Sequence, residues 1–172
     1  MSARNNRVEI VTVAQVYINP PSLTIRKRYL HMRGDLNKPS PGQTATRILL
    51  GLFLILAGIG HLTFSRHAFQ TQVPSWLPMS PDLVVFLSGI VEILLGASLI
   101  FLVKQRIQLG WIVAVFFILV FPGNIAQLTE HRDSFGLNSD LKRWIRLPFQ
   151  FVLIFLALWS TGAWQKWRSR QS

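Results

Sequence analysis

Leu83 to Val103 is a run of 21 residues in which Glu92 is the only ionisable side chain. At about 1.5 Å of rise per residue, such a helix spans the ~30 Å hydrocarbon layer of a bilayer. Three further runs share the pattern. Residues 48–64 hold His61 as their only ionisable group, and 109–128 and 147–164 hold no charge. The pattern predicts four helical spans, near 48–64, 83–103, 109–128 and 147–164. The link at 104–108 is so short that spans two and three must form an antiparallel hairpin. The first run starts too far from Met1 to be a signal peptide, and no Ala-x-Ala site follows it. The expected fold is all-α: an integral membrane, four-helix transmembrane bundle.

Along a helix, residues three, four and seven apart share a face. Gly89, Glu92 and Gly96 therefore align, with Ser88 one turn before Glu92, as a small and polar stripe on a helix otherwise of Leu, Ile and Val. Small residues admit a neighbouring helix closely, so this stripe is expected to face the bundle. A carboxyl at membrane depth costs a few kcal/mol on insertion scales, of order 3 kcal/mol, and is a functional candidate by default. Counting from Asp82 at ~1.5 Å per residue, Glu92 lies about 15 Å deep and Ser88 about 9 Å; Gln150 lies about 6 Å inside the same surface. His61 lies near the same end of span one, Asn124 near that end of span three after Pro122-Gly123, and Arg146 opens span four. The predicted result is a polar funnel formed by His61, Ser88, Glu92, Asn124, Arg146 and Gln150, with Glu92 at its floor among small, apolar neighbours.

Each member also has a plainer reading. Glu92 serves as a structural, protonated hydrogen-bond donor, His61 as an interfacial cap, Asn124 as a partner for backbone freed by Pro122, and Arg146 as a cation reaching for headgroups. Between spans one and two, Phe69, Val73, Trp76 and Leu77 recur at three- and four-residue steps. This segment reads either as a short amphipathic roof over the funnel or as a plain ordered loop.

Composition narrows the class. Half of the 172 residues are hydrophobic, and 15% are charged, against about 25% in soluble domains. With no cysteine, thiol–disulfide exchange, thiolate-bound zinc and iron–sulfur clusters are excluded. No haem-ligand pair, metal-ligand set or Gly-rich nucleotide loop is present. The net charge of +11 would suit nucleic acid, but the cations flank the apolar runs and populate the N-terminal arm. They read as contacts to an anionic lipid bilayer, with no nucleic acid as partner. With the N-terminus inside, nine Lys and Arg near span ends fall on that side and five on the other, which places both termini in the cytoplasm. Residues 1–46 form a basic arm, expected to be disordered, broken by Pro20-Pro21, Pro39 and Pro41-Gly42; Met32 is an alternative start that would remove residues 1–31. Residues 47–165 form the membrane domain and 166–172 a basic tail.

The stretches AGIGHLTFSRHAFQTQVPSWLP (57–78), SGIVEILLGASLI (88–100) and FPGNIAQ (121–127) resemble the DoxX family of small four-span bacterial membrane proteins. The resemblance covers roughly 47–163 and departs at Gly123, where that family usually has Ala. It implies a four-helix bundle in the bacterial inner membrane. It is similar to the membrane subunit of thiosulfate:quinone oxidoreductases; other relatives act in oxidative-stress complexes or as membrane-protein helpers and cargo receptors. His61, Ser88, Glu92 and Asn124 occupy family-like polar positions, but no catalytic role carries over to them. Two functions follow as expectations. One is an accessory subunit of a quinone-linked redox system, with a quinone as cofactor and a protein partner subunit to carry electrons. The other is a non-catalytic scaffold, chaperone or binding protein for a lipid-like molecule.

Overall fold

The structure is a computed structural model and describes residues 38–132 and 140–171. The N-terminal arm, including the alternative start at Met32, lies outside the described residues. All regular elements among these residues are helical: α1 (Pro41–Leu62), α2 (Arg66–Gln70), α3 (Pro81–Phe101), a 3-10 turn (Val103–Gln105), α4 (Arg106–Thr129), α5 (Asp140–Ser160) and α6 (Ala163–Arg168). By length and composition α1, α3 and α4 are long and apolar enough to cross a membrane, while α5 carries a shorter apolar stretch, Trp144–Ser160.

The ends of these helices follow local chemistry. α1 begins at Pro41, several residues before the predicted span, because Ser40 caps it. The Gln43 amide donates to Ser40 Oγ at 3.1 Å, and the Ser40 amide donates to Gln43 Oε1 at 2.9 Å. Such a reciprocal pair satisfies two helix-start donors at once. α3 starts at Pro81 under a similar cap from Ser80. The short link expected between spans two and three is present as the 3-10 turn, but the two helices it joins pack mainly against other partners. The fourth helix stops earlier than the sequence pattern predicted. α5 ends at Ser160, and Gly162 takes a positive φ of 78°, a conformation cheap only for glycine. Trp164 therefore belongs to α6.

Two antiparallel pairs make up the fold, α1 against α3 and α4 against α5; α1 also touches α5, and α3 meets α4 only sparsely. Glycines set the first pair. A Cβ at Gly51 would stand 2.8 Å from the Gly96 carbonyl oxygen, and one at Gly58 would stand 2.5 Å from that of Gly89. Gly89 and Gly96, expected to face a neighbour, thus meet two glycines spaced by the same two turns on α1. In the second pair, Gly110 of α4 lies against Thr161 and the Ala157 carbonyl.

Apolar side chains fill one end of the molecule. Leu50, Leu54, Leu99, Leu109, Val113, Phe117, Leu153 and Ala157 form a single buried cluster. Arg47 is buried at this end as well, 4% exposed. Its Nη1 donates to the carbonyls of Leu99 and Ile100, the latter at 3.5 Å. These carbonyls lie in the last turn of α3, which has no intrahelical donors for them. Arg47 was expected only as a cation flanking span one.

Candidate functional site

At the opposite end, where α1 and α4 finish and α3 and α5 begin, the helix pairs separate around a cavity of about 1180 Å³. All six of the predicted polar residues line it: His61, Ser88, Glu92, Asn124, Arg146 and Gln150. Most of the remaining wall is aliphatic or aromatic.

The close approach of α1 to α3 at Gly58 and Gly89 carries His61 onto Glu92. His61 Nδ1 lies 3.0 Å from Glu92 Oε2 and 2.8 Å from the Ala57 carbonyl oxygen. One Nδ1 proton faces two oxygens. The bond to Ala57 is the aligned one, and Glu92 Oε2 is left buried without an aligned hydrogen bond. Glu92 therefore does not sit among small, apolar neighbours as the sequence pattern suggested. Helix α1 presents an imidazole to it, a tertiary contact that spacing along α3 cannot reveal. Both residues are at least nine-tenths buried. Phe69 of α2 stacks on the imidazole, with ring centroids 3.5 Å apart and planes 15° from parallel. His61 thus packs inside the cavity rather than capping α1 at an interface. Ser88 stands on the same wall one turn from Glu92.

Asn124 and Gln150 pair across α4 and α5. Asn124 Nδ2 donates to Gln150 Oε1 at 3.1 Å, and Gln150 Nε2 donates to the Phe117 carbonyl at 2.6 Å. Gln150 thus reaches the carbonyl one residue before that of Ile118, the one Pro122 leaves without its helical donor, and Asn124 holds Gln150 in place. Arg146 does not merely reach for headgroups, because its guanidinium bonds inward. Nη1 donates to Gln127 Oε1 at 2.6 Å and Nη2 donates to Gln72 Oε1 at 3.3 Å. Neither glutamine was singled out from the sequence; Gln127 reads there as one polar residue near a helix end, yet it is 1% exposed.

α2 and the segment after it cover the cavity, with Phe69, Val73, Trp76 and Leu77 all in its lining. Three polar ties hold them. Arg66 forks onto Asp82, Nε to Oδ1 at 2.7 Å and Nη2 to Oδ2 at 2.6 Å, and this hydrogen bonding raises Arg66 above its ordinary range. Arg132 Nη1 donates to the Val73 carbonyl at 3.0 Å, and Arg132 pairs with Glu130 at 2.5 Å. Glu130 in turn accepts from Ser75 Oγ at 3.1 Å. Gly123 allows the covering segment to descend, since a Cβ there would stand 2.9 Å from the Gln72 carbonyl oxygen.

Among the described residues no group of three or more His, Asp or Glu gathers as a metal ion requires. The arrangement offers a large apolar space with a His–carboxyl pair in its wall, an amide pair, and one guanidinium. The profile of the family described as Domain of unknown function (DUF8561) matches residues 50–161, and the chain belongs to that family. No curated protein and no solved structure matches it.

Proposed function

We propose that this DUF8561 chain is a multi-pass membrane protein that binds a lipid-soluble quinone in its cavity and serves as an accessory subunit of a membrane redox system. One observation carries the reading: Glu92 Oε2, buried and lacking an aligned hydrogen bond, lies beside His61 in the wall of a large apolar cavity. The space exceeds the about 300–1,000 Å³ usual for ligand pockets, enough for a ring and part of an isoprenoid tail. A quinone, when bound, supplies two-electron, two-proton carrier chemistry. The chain's part is to hold and hand over protons. Glu92 acts as donor or relay, His61 is its neighbour in the cavity wall, and Asn124, whose Nδ2 carries a second N–H beyond the one given to Gln150, orients the ring as a donor. The chain has no cysteine to hold an iron–sulfur cluster or a thiol couple, and in this reading a protein partner subunit completes the path. The DoxX resemblance supports the same class. With both termini in the cytoplasm, the cavity faces the outer leaflet of a bacterial inner membrane.

Gentle purification followed by solvent extraction and absorbance spectroscopy tests this. The protein should carry quinone, and Glu92→Gln or His61→Ala should lose it. Absence of quinone at any stoichiometry, with a protein partner co-purifying instead, overturns the redox reading. That result would favour a non-catalytic scaffold, chaperone or lipid-binding role. The engagement of Gln150 by both Asn124 and the Phe117 carbonyl favours that second reading, since Gln150 is then occupied by the protein itself.

A further inference from the structure

Arg146 is a cation in the cavity wall whose partners among the described residues are neutral. Both oxygens that it contacts, in Gln127 and Gln72, belong to amides. Gln127 is itself fixed, with Nε2 donating to the Arg132 carbonyl at 3.4 Å. Of the carboxylates whose side chains the structure describes, Glu92 faces His61, Asp82 holds Arg66, and Glu130 holds Arg132. A guanidinium carries more N–H donors than these two contacts use. Gln72 lines the cavity beside it, and its Nε2 is buried with no hydrogen-bond partner. Charge drawn into an apolar space without a counter-charge is costly. An oxyanion at this point would neutralise the cation and accept from Arg146. Beyond Arg146 the same cavity runs on to Leu87, Val91 and Leu119, apolar side chains that remain exposed.

We propose that the cavity binds an amphiphile with an anionic oxygen headgroup, a carboxylate or phosphate, which pairs with Arg146 while its hydrocarbon chain lies along the apolar wall. The inference stands on Arg146 and the cavity alone and goes beyond the redox reading; it holds whether or not a quinone binds near Glu92. A lipid source is favoured over a free ion because cation and apolar wall share one continuous space.

The test uses the full chain in a neutral detergent, with a fluorescent polyene fatty acid and its methyl ester as probes. The acid should bind at least about tenfold more tightly than the ester, as a charge-assisted hydrogen bond would give. Arg146→Gln should erase that preference by weakening the acid far more than the ester, and Arg146→Lys should retain part of it. Equal affinity for acid and ester in the unaltered protein overturns the proposal, even if the variant does not fold. A preference that survives Arg146→Gln does the same. Inorganic phosphate at millimolar concentration should leave the acid bound; displacement by phosphate would identify a soluble oxyanion and overturn the amphiphile assignment.

Discussion

Gly58 and Gly89 meet backbone to backbone, so closely that a methyl group on Gly58 would stand 2.5 Å from the Gly89 carbonyl oxygen. His61 follows Gly58 by one helical turn, and Glu92 follows Gly89 by one turn on the antiparallel partner. The contact between two residues without side chains is therefore what lets the imidazole and the carboxyl share one wall.

Gly58→Ala and Gly96→Ala should each destabilise the fold by about 1–3 kcal/mol, the usual cost of overpacking. Gly60→Ala should not, because its nearest neighbours would lie 3.6 Å away in ordinary contact. Thermal unfolding in detergent separates the two cases. Equal melting temperatures for Gly58→Ala and Gly60→Ala would contradict the close approach.

The aligned bond from His61 to the Ala57 carbonyl requires a proton on Nδ1, since a bare nitrogen cannot donate. In its neutral form His61 should therefore be the Nδ1–H tautomer, with Nε2 bare. Nitrogen-15 spectra of histidine-labelled protein read the tautomer directly. A proton found on Nε2 instead would mean that the Glu92 carboxyl donates to Nδ1 and that the Ala57 bond is not made.

Arg47→Met should cost about 1–3 kcal/mol through the Leu99 and Ile100 carbonyls it leaves unsatisfied, and Arg47→Lys should recover part of the loss. Chemical denaturation of both variants measures the difference. An Arg47→Met protein as stable as the parent would show that water satisfies those carbonyls equally well.

Arg132→Gln should free the segment over the cavity, since Arg132 ties both the Val73 carbonyl and Glu130. Amides near Val73 and Leu77 should exchange with deuterium faster, while the buried helices remain protected. Gly123→Ala should act on the same amides by a different route, by pushing the Gln72 carbonyl away. Unchanged exchange in both variants would mean that neither Arg132 nor the fit at Gly123 holds the segment in place.

Much of the site was legible in the chain. The rarity of polar groups in apolar runs marked His61, Ser88, Glu92, Asn124, Arg146 and Gln150, because each is costly in hydrocarbon and therefore conspicuous. Gln72 and Gln127 escaped notice, since they lie in a loop and near a helix end where polar residues are ordinary. Arg47 was conspicuous but misplaced: charge at a span boundary reads as a contact with water or lipid, and nothing local shows that α3 ends against it. The covering segment was foreseen from the spacing of Phe69, Val73, Trp76 and Leu77, whereas its ties to Arg132 and Glu130 join residues more than fifty positions apart.

By itself the sequence determined the helical class, the long apolar segments, the tight turn between α3 and α4, and six of the polar residues that line the cavity. These depend on hydropathy, spacing and capping, all of which act over a few neighbouring positions. Only the tertiary structure decided that His61 reaches Glu92, that Arg146 turns inward onto two glutamines, and that one end is packed while the other is open. Those outcomes depend on helix rotation and separation. Both are set by which glycines meet across a pair, and contact between distant segments leaves no periodic trace in either one.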